Sequence, residues 1–417
     1  MTETLRKGWC PGALAPMLSG DGYIFRLRLT NGILPFERAK IFADLARRFG
    51  NGAVDLSARA NLQMRGVAGE NIADLQDELR ALGLLDADAR AEAVRNVVPS
   101  PLAGFDPSAP LDARPLVAAL EALLAREEAL HDLPAKFGFS VDGGGFLPLR
   151  GVETDIAFAA LPGAPSRLAL SLGGRPAGEL AAQDLCVVAE SLARNFLRLR
   201  GQDRRMSAVV ARLGVAPLLE GVAVVAPPPT REEAAAQYDN ILGAQPCGGQ
   251  NFVGAGLLFG RIDADALEAL AEQAQASGAA ELRLTPWRAI LAVGLERAAA
   301  VELVPRLSAL GFLLDAQDSR LAFAACPGAP ACSSARGDVR ALALALAPYW
   351  SAQADRVHIS GCEKGCAFNS PALTLVAEAD GYALIDFGLA REKPSARGLD
   401  LAALRSRLTS LAQGMRV

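Results

Sequence analysis

Apolar and polar positions alternate along YIFRLRL (residues 23–29), the two-residue period of a strand with one buried face. The next stretch, PFERAKIFADLARRFG (35–50), has a helical period, with Pro35 near its first turn and Gly50 just past its end. AVDLSARANLQMRGV (53–67) reads as a second strand, and IADLQDELRALGL (72–84) as a second helix ending at Gly83. The pattern returns later in the chain. Residues 29–84 lie over 257–312 at a constant offset of 228 with no gap. Gly32 falls on Gly260, Gly66 on Gly294 and Gly83 on Gly311, and Leu56 and Leu79 fall on Leu284 and Leu307. Helices laid over paired strands leave one face open, so two copies predict a pseudo-twofold core assembled from both.

A longer α/β segment follows each copy. The first contains the helix LVAALEALLAREEAL (116–130) and the strands AKFGFSVDG (135–143) and DIAFAAL (155–161). The Pro-marked stretch APPPTREEAAAQ (226–237) reads as a linker. The expected organisation is therefore 10–85, first half; 86–235, first α/β domain and substrate side; 240–315, second half; 316–417, second α/β domain.

Composition narrows the function. The chain has 417 residues, 51% hydrophobic and 21% charged, which is too much apolar surface for a disordered chain and too much length for one core. A net charge of −4 argues against nucleic acid as a partner. No 18-residue apolar run is present, and the start MTETLRKGWC lacks an apolar signal segment, so a cytoplasmic location and no membrane partner are expected.

Seven cysteines in such a chain point to metal or redox chemistry rather than disulfides. Four of them cluster as Cys326-x5-Cys332 and Cys362-x3-Cys366 in AACPGAPACSSA and HISGCEKGCA, and all four fall in 316–417, the expected iron-sulfur cluster-bearing α/β domain. Five residues between a pair fit a zinc knuckle poorly. Gly328, Gly361 and Gly365 allow close backbone N–H approach to sulfur, which suits a [4Fe–4S] cluster. Zinc and plain structural thiols are the other two readings. Cys186, in the apolar DLCVVAESLA, reads as core.

In the first copy, Arg26 and Arg28 share one strand parity, and so do Arg59, Asn61, Gln63 and Arg65. The second copy has Trp287, Ala289, Leu291 and Val293 in place of the latter four. A polar row on one copy and an apolar row on the other point to an anion held by the first, with a solvated strand face as the plainer reading.

Both cysteine loops together resemble the cluster signature of the sulfite and nitrite reductase family, which couples a [4Fe–4S] cluster to sirohaem. That resemblance implies an α+β fold: duplicated ferredoxin-like halves forming a pseudo-twofold core, plus two α/β domains as in sulfite reductase haemoprotein. It implies Cys366 as the cysteine that bridges the cluster and sirohaem. RLRLTNG resembles the stretch bearing an active-site arginine, at Arg26. ARANLQMRGV resembles the strand that grips tetrapyrrole carboxylates. VRNVV and LPAKFGF resemble stretches that supply Arg95, Asn96 and Lys136. The family's second lysine is here Gly138, and the histidine before its strand-end glycine is here Arg65.

Within that superfamily, KGWCPGALAPMLSGDGYIFRLRL, PSPLAG, LPAKFGFSVDGGG and HISGCEKGCA resemble the precorrin-3B synthases. This implies precorrin-3A as substrate, hydroxylated at C20 by O2 with lactone formation, and a non-haem iron beside the [4Fe–4S] cluster. It implies catalytic Arg26, Arg95 and Lys136, and substrate-binding Arg28, Arg59, Asn61, Gln63, Arg65 and Asn96. NADH is the implied reductant, through a reductase or ferredoxin, because VDGGGF and SLGGRP read as hairpin turns and not nucleotide cradles. An iron triad would need both histidines, His131 and His358. A sirohaem-dependent sulfite or nitrite reductase and a plain electron carrier are the alternatives.

Overall fold

The computed structural model describes residues 10–225, 238–351 and 355–414; the expected linker 226–237 lies outside them. The chain forms two compact units. The first comprises Met1–Met17, Ile24–Gly256 and Ile262–Leu314, and the second comprises Leu18–Tyr23, Leu257–Arg261 and Asp315–Val417.

The first half runs β1 (Met17–Ser19), β2 (Gly22–Leu27), β3 (Ile33–Leu34), α1 (Phe36–Phe49), β4 (Ala53–Leu56), β5 (Leu62–Val67) and α2 (Ile72–Ala81). The segment expected as one strand at 53–67 is a hairpin. Ser57–Asn61 turns the chain, with Ala60 at φ 55° and Val54 paired to Met64. Arg59 therefore stands in the turn and not on the strand. The α/β domain follows: α3 (Ala89–Val94), β6 (Val97–Pro99), α4 (Arg114–Arg126), β7 (Phe139–Asp142), β8 (Ile156–Leu161), β9 (Ala164–Leu172), β10 (Arg175–Ala181), α5 (Leu185–Leu199) and α6 (Met206–Leu213).

After the short α7 (Tyr238–Ile241), the second half runs β11 (Gly243–Cys247), β12 (Gln250–Gly256), β13 (Arg261–Asp263), α8 (Ala264–Ala276), β14 (Glu281–Leu284), β15 (Ala289–Leu295) and α9 (Arg297–Ala309). The offset of 228 survives in the backbone. Among the described residues, four non-glycines have positive φ: Asn31 and Phe259, Ala60 and Arg288, each pair one offset apart. The two halves exchange edge strands. β13 lies outside β4 in the first sheet, and β3 lies outside β14 in the second, with Leu282 opposite Leu34. Helices α1 and α8 pack together, and Arg47 on α1 reaches Asp265 (2.7 Å) and Glu268 (2.6 Å) on α8.

The second unit holds β16 (Phe323–Ala325), α10 (Val339–Leu346), β17 (Val357–Ser360), β18 (Ala372–Glu378), β19 (Gly381–Gly388), β20 (Ala396–Leu399) and α11 (Leu401–Gly414). Its sheet order, β16-β17-β18-β19-β20, repeats the β6-to-β10 order of the first. In both, the first three strands are parallel and the last two pairings antiparallel. The α/β domains are thus also two copies of one plan, each with a helix between its first two strands and another after its fifth. The stretch VDGGGF leads from β7 to its parallel neighbour β8, so it is a crossover loop and not the expected hairpin turn. SLGGRP does turn the β9–β10 hairpin.

A buried arginine ties the first α/β domain to the second half. Arg283 on β14 is fully buried, donates from Nη2 to the Ala103 carbonyl at 3.1 Å, pairs with Glu281, and stacks over Phe105 at 5.2 Å. Arg283→Ala strands buried acceptors and an acid, and should lower unfolding free energy by about 3 kcal/mol in urea titrations. A change near zero would mean the loop holds without it.

Candidate functional site

Two sites emerge, one in each unit. In the second, β16 and β17 lie side by side and parallel, with Ala325 opposite Ile359. Their carboxyl ends therefore release two loops at one edge, the usual position for a site in an open α/β sheet. Cys326 and Cys332 lie on the first loop, Cys362 and Cys366 on the second. The loops are tied by Arg336 N–H to the Gly361 carbonyl (2.9 Å) and Lys364 Nζ to Ser334 Oγ (2.9 Å). All four thiols are free; Cys326 is buried, Cys332 and Cys362 half-buried, and Cys366 exposed.

Gly361 N–H donates to Cys326 Sγ at 3.2 Å. A side chain at 361 would meet Ala335 Cβ at 2.5 Å, so glycine is needed for that approach. Burial pushes the Cys326 thiol up, and nearby Cys332 and Cys362 add to this, while the Gly361 and Gly328 amides oppose it. Cys366 is likewise raised by burial and then by the other three cysteines, so all four sense one another. Among the described residues, no three His, Cys, Asp or Glu side chains converge on a single ion. The two-histidine triad considered from the sequence is not among such groups. A four-iron cube holds its thiolates at the corners of a larger body, which suits four thiols on two loops with amide donors to sulfur.

The two histidines lie apart in the fold, on separate units. The His131 ring lies 3.2 Å from the Leu124 and Ala125 carbonyls at the end of α4. His358 is fully buried on β17, and neither ring nitrogen has a partner.

In the first unit, the expected residues divide into two groups. Arg28, Arg95 and Asn96 are internally matched. Arg28 Nε donates to Asn96 Oδ1 at 3.3 Å, and its Nη1 ion-pairs with buried Glu92 at 3.4 Å. Burial, with neighbouring Arg26, lowers its guanidinium to about 10. Arg95 grips Asp86 from Nε (2.7 Å) and Nη2 (3.0 Å) and reaches Glu121 from Nη1 at 3.3 Å. Burial works against its charge, but Asp86 and Glu121 prevail and raise it. Asn96 Nδ2 lies 2.7 Å from the Ala93 carbonyl and 3.2 Å from those of Ala135 and Phe137. Arg65 is buried against Asp55 at 3.3 Å, and Asn61 closes the β4–β5 turn through its backbone with Ser57.

The other group is short of anions. Arg26 offers Nε (3.0 Å) and Nη2 (2.7 Å) to the neutral Gln63 Oε1. Arg59 donates from Nη2 to the Lys136 carbonyl, while its buried Nη1 has no partner. Burial lowers the Arg59 guanidinium, and Arg205 and Arg26 lower it further against Cys10 and Asp155. The Lys136 side chain is exposed. Arg205, Asp155 and Cys10 were not expected here. DRRMSAVVARL shows only a helix start, and no period links Arg205 to a strand turn far upstream.

In the same unit, a cavity of about 1090 Å³ lies over β7–β10. Strand alternation sends Phe139, Ile156, Phe158 and Leu170 to the helix-covered core and leaves Ser140, Ala157, Ala159 and Ser171 as the cavity floor.

Comparison with known proteins agrees with this plan. The Nitrite/Sulfite reductase ferredoxin-like half domain matches residues 15–82 and 244–310. The Nitrite and sulphite reductase 4Fe-4S domain matches residues 90–227, a range that contains Cys186 but none of the four clustered cysteines. A precorrin-3B synthase from Sinorhizobium sp is 35% identical over 94% of this chain and 85% of its own length. The chain belongs to the precorrin-3B synthase family. A ferredoxin–nitrite reductase from Synechococcus elongatus is 26% identical, covering 82% of this chain and 74% of the relative. The fold matches that of the Mycobacterium tuberculosis NirA protein with a TM-score of 0.75 at 21% identity, over 94% of this chain and 80% of that one. The family is one of iron–sulfur oxidoreductases with the duplicated α+β fold, and its members carry a [4Fe–4S] cluster. No helix among the described residues is long and apolar enough to cross a membrane.

Two outcomes follow. Cys326→Ser or Cys362→Ser should lose the brown colour and most bound iron; full iron in either variant would remove that thiol from the ligand set. Burial lowers His358 to about 4 from its ordinary 6.5. The unfolded chain then binds a proton that the folded chain refuses, so stability is present above pH 6.5 and falls as pH drops towards 4. The full loss is about 3 kcal/mol. His358→Phe should flatten that slope in urea titrations at stepped pH, and an unchanged slope would assign it to other groups.

Proposed function

We propose that this chain hydroxylates precorrin-3A at C20, with lactone formation from a ring-A acetate, in aerobic cobalamin biosynthesis. One oxygen atom of O2 enters the product, and the other leaves as water with two electrons and two protons. NADH is the ultimate donor, through a separate reductase or ferredoxin, and the reaction runs in the cytoplasm. The observation that carries the reading is the end-to-end relation to a precorrin-3B synthase. Two features support it: Arg26, Arg59 and Lys136 form an anion-poor cationic group, and the small-residue cavity floor in the same unit suits a flat ring with acid arms.

In this reading Cys326, Cys332, Cys362 and Cys366 hold the cluster, which supplies single electrons. Gly361 N–H stabilises the Cys326 thiolate. Arg59 Nη1 and Arg26 bind carboxylate, and Lys136 faces the reacting edge. Arg28, Arg95 and Asn96 hold those groups in place from behind, and Arg65 and Asn61 hold the Arg59 turn. The non-haem iron implied by the resemblance has no three-ligand group among the described residues.

The test is anaerobic loading with precorrin-3A, then O2 and reductant, followed by mass. A gain of one oxygen atom is expected; recovery of unchanged substrate alongside nitrite or sulfite reduction would favour the reductase reading. Arg59→Ala should weaken tetrapyrrole binding by about 1.5–3 kcal/mol in a direct titration, the range for a charged hydrogen bond. Unchanged affinity would place Arg59 outside the substrate site.

A further inference from the structure

The space beside Gly138 is where the related reductases would place a second lysine, and here another cation fills it. A side chain at Gly138 would meet Arg59 Cζ at 3.6 Å and its Nη1 at 3.7 Å. A Cβ there would sit in ordinary contact, but a longer side chain such as lysine would compete for the space of the Arg59 guanidinium, which reaches to the Lys136 carbonyl and keeps one buried donor without a partner.

Gly138 is also joined to a residue from a distant helix. Asp155, almost fully buried, accepts from Gly138 N–H through Oδ2 at 3.0 Å. Its Oδ1 accepts from Met206 N–H at 2.7 Å and Arg205 Nε at 3.0 Å. One carboxylate thus sets both the glycine under Arg59 and the guanidinium of Arg205. With Nε committed, Arg205 makes no bond from Nη1 or Nη2 to any described residue. Its side chain is partly exposed, so those donors are open to a ligand. Arg59 is close enough to be destabilised electrostatically by both Arg205 and Arg26. Asp155 is the one carboxylate bonded within this group, and both its oxygens are already engaged.

We propose that Arg205 is a substrate-binding residue, and that with Arg59 it forms a two-arginine clamp for one carboxylate arm of the substrate. This rests on the tetrapyrrole reading above and adds a residue and a selectivity to it. Two planar forks offer paired N–H donors to the two oxygens of a carboxylate. An ammonium at position 138 would instead present a compact charge suited to a small inorganic anion. Gly138 and Arg205 together therefore favour an acid arm over nitrite or sulfite.

The probe is uroporphyrin III, an eight-carboxylate tetrapyrrole, titrated anaerobically into the holoprotein and followed by its fluorescence. Arg205→Gln should weaken binding about tenfold or more, with melting temperature and iron content unchanged. Arg205→Lys keeps the charge and the Asp155 ion pair but loses the fork, and should recover only part of that loss. Wild-type affinity in the Gln variant overturns the clamp while leaving the tetrapyrrole reading intact. Should the Gln variant melt early, the Lys variant decides: a several-fold loss supports the clamp and wild-type affinity overturns it. Failure of the wild-type protein to bind uroporphyrin III overturns the tetrapyrrole reading itself, and the clamp with it.

Discussion

One hydrogen bond at a strand end occurs twice in this chain, and much of the chemistry depends on what sits at its acceptor. Just past β16, Cys326 Sγ accepts from Gly361 N–H at 3.2 Å. Just past β6, Ser100 Oγ accepts from Gly143 N–H at 2.7 Å. The register beneath is the same: Ser100 N–H reaches the Val141 carbonyl, and Cys326 N–H the Ile359 carbonyl. Parallel pairing of the first two strands forces this meeting, because only parallel neighbours release both loops at one edge. In one copy the acceptor is a soft thiol with three others nearby. In the other it is a hydroxyl that binds Asp142 at 2.9 Å, and Asp142 in turn accepts from the Gly144 and Leu149 amides. The first domain thus closes with an acid and amides the corner that the second keeps for sulfur.

The ferredoxin-like halves were divided in the same way. The exchanged edge strands leave each half's sheet incomplete without the other. Within that plan, the turn between β14 and β15 carries Trp287 where the first copy has Arg59. The positive φ at Ala60 and Arg288 shows that the turn itself did not change. What differs is which side chain it presents, and the first copy's arginine lies against Gly138.

Much of this was legible from residue order. The repeat was visible because glycines at left-handed positions, such as Gly66 and Gly294, hold their place whatever happens between them. The cysteine pairs were visible because no apolar or charged pattern explains them. The hairpin at 53–67 was not, since a turn at Ser57–Asn61 built on Ala60 lacks the Asn-Gly or Asp-Gly that marks tight turns. Parity across that turn therefore misread Arg59 as a strand residue and Arg65 as its equal, although Arg65 is buried against Asp55. The partners of Arg28 and Arg95 could not be read either, because Glu92, Asp86 and Glu121 lie on separate segments. Arg205 came to the site only through a buried acid joining strand and helix.

A division of labour between a thiol-bearing copy and a cation-bearing copy predicts what the purified protein contains before any substrate is added. The most direct measurement is iron and acid-labile sulfide per chain, with the visible spectrum, on protein isolated without oxygen. About four of each, with a broad brown absorbance and no Soret band, is the expected result for a cluster-bearing chain whose tetrapyrrole site is kept for substrate. A strong Soret band with extractable sirohaem would mean that the cations hold a resident cofactor, and would contradict it.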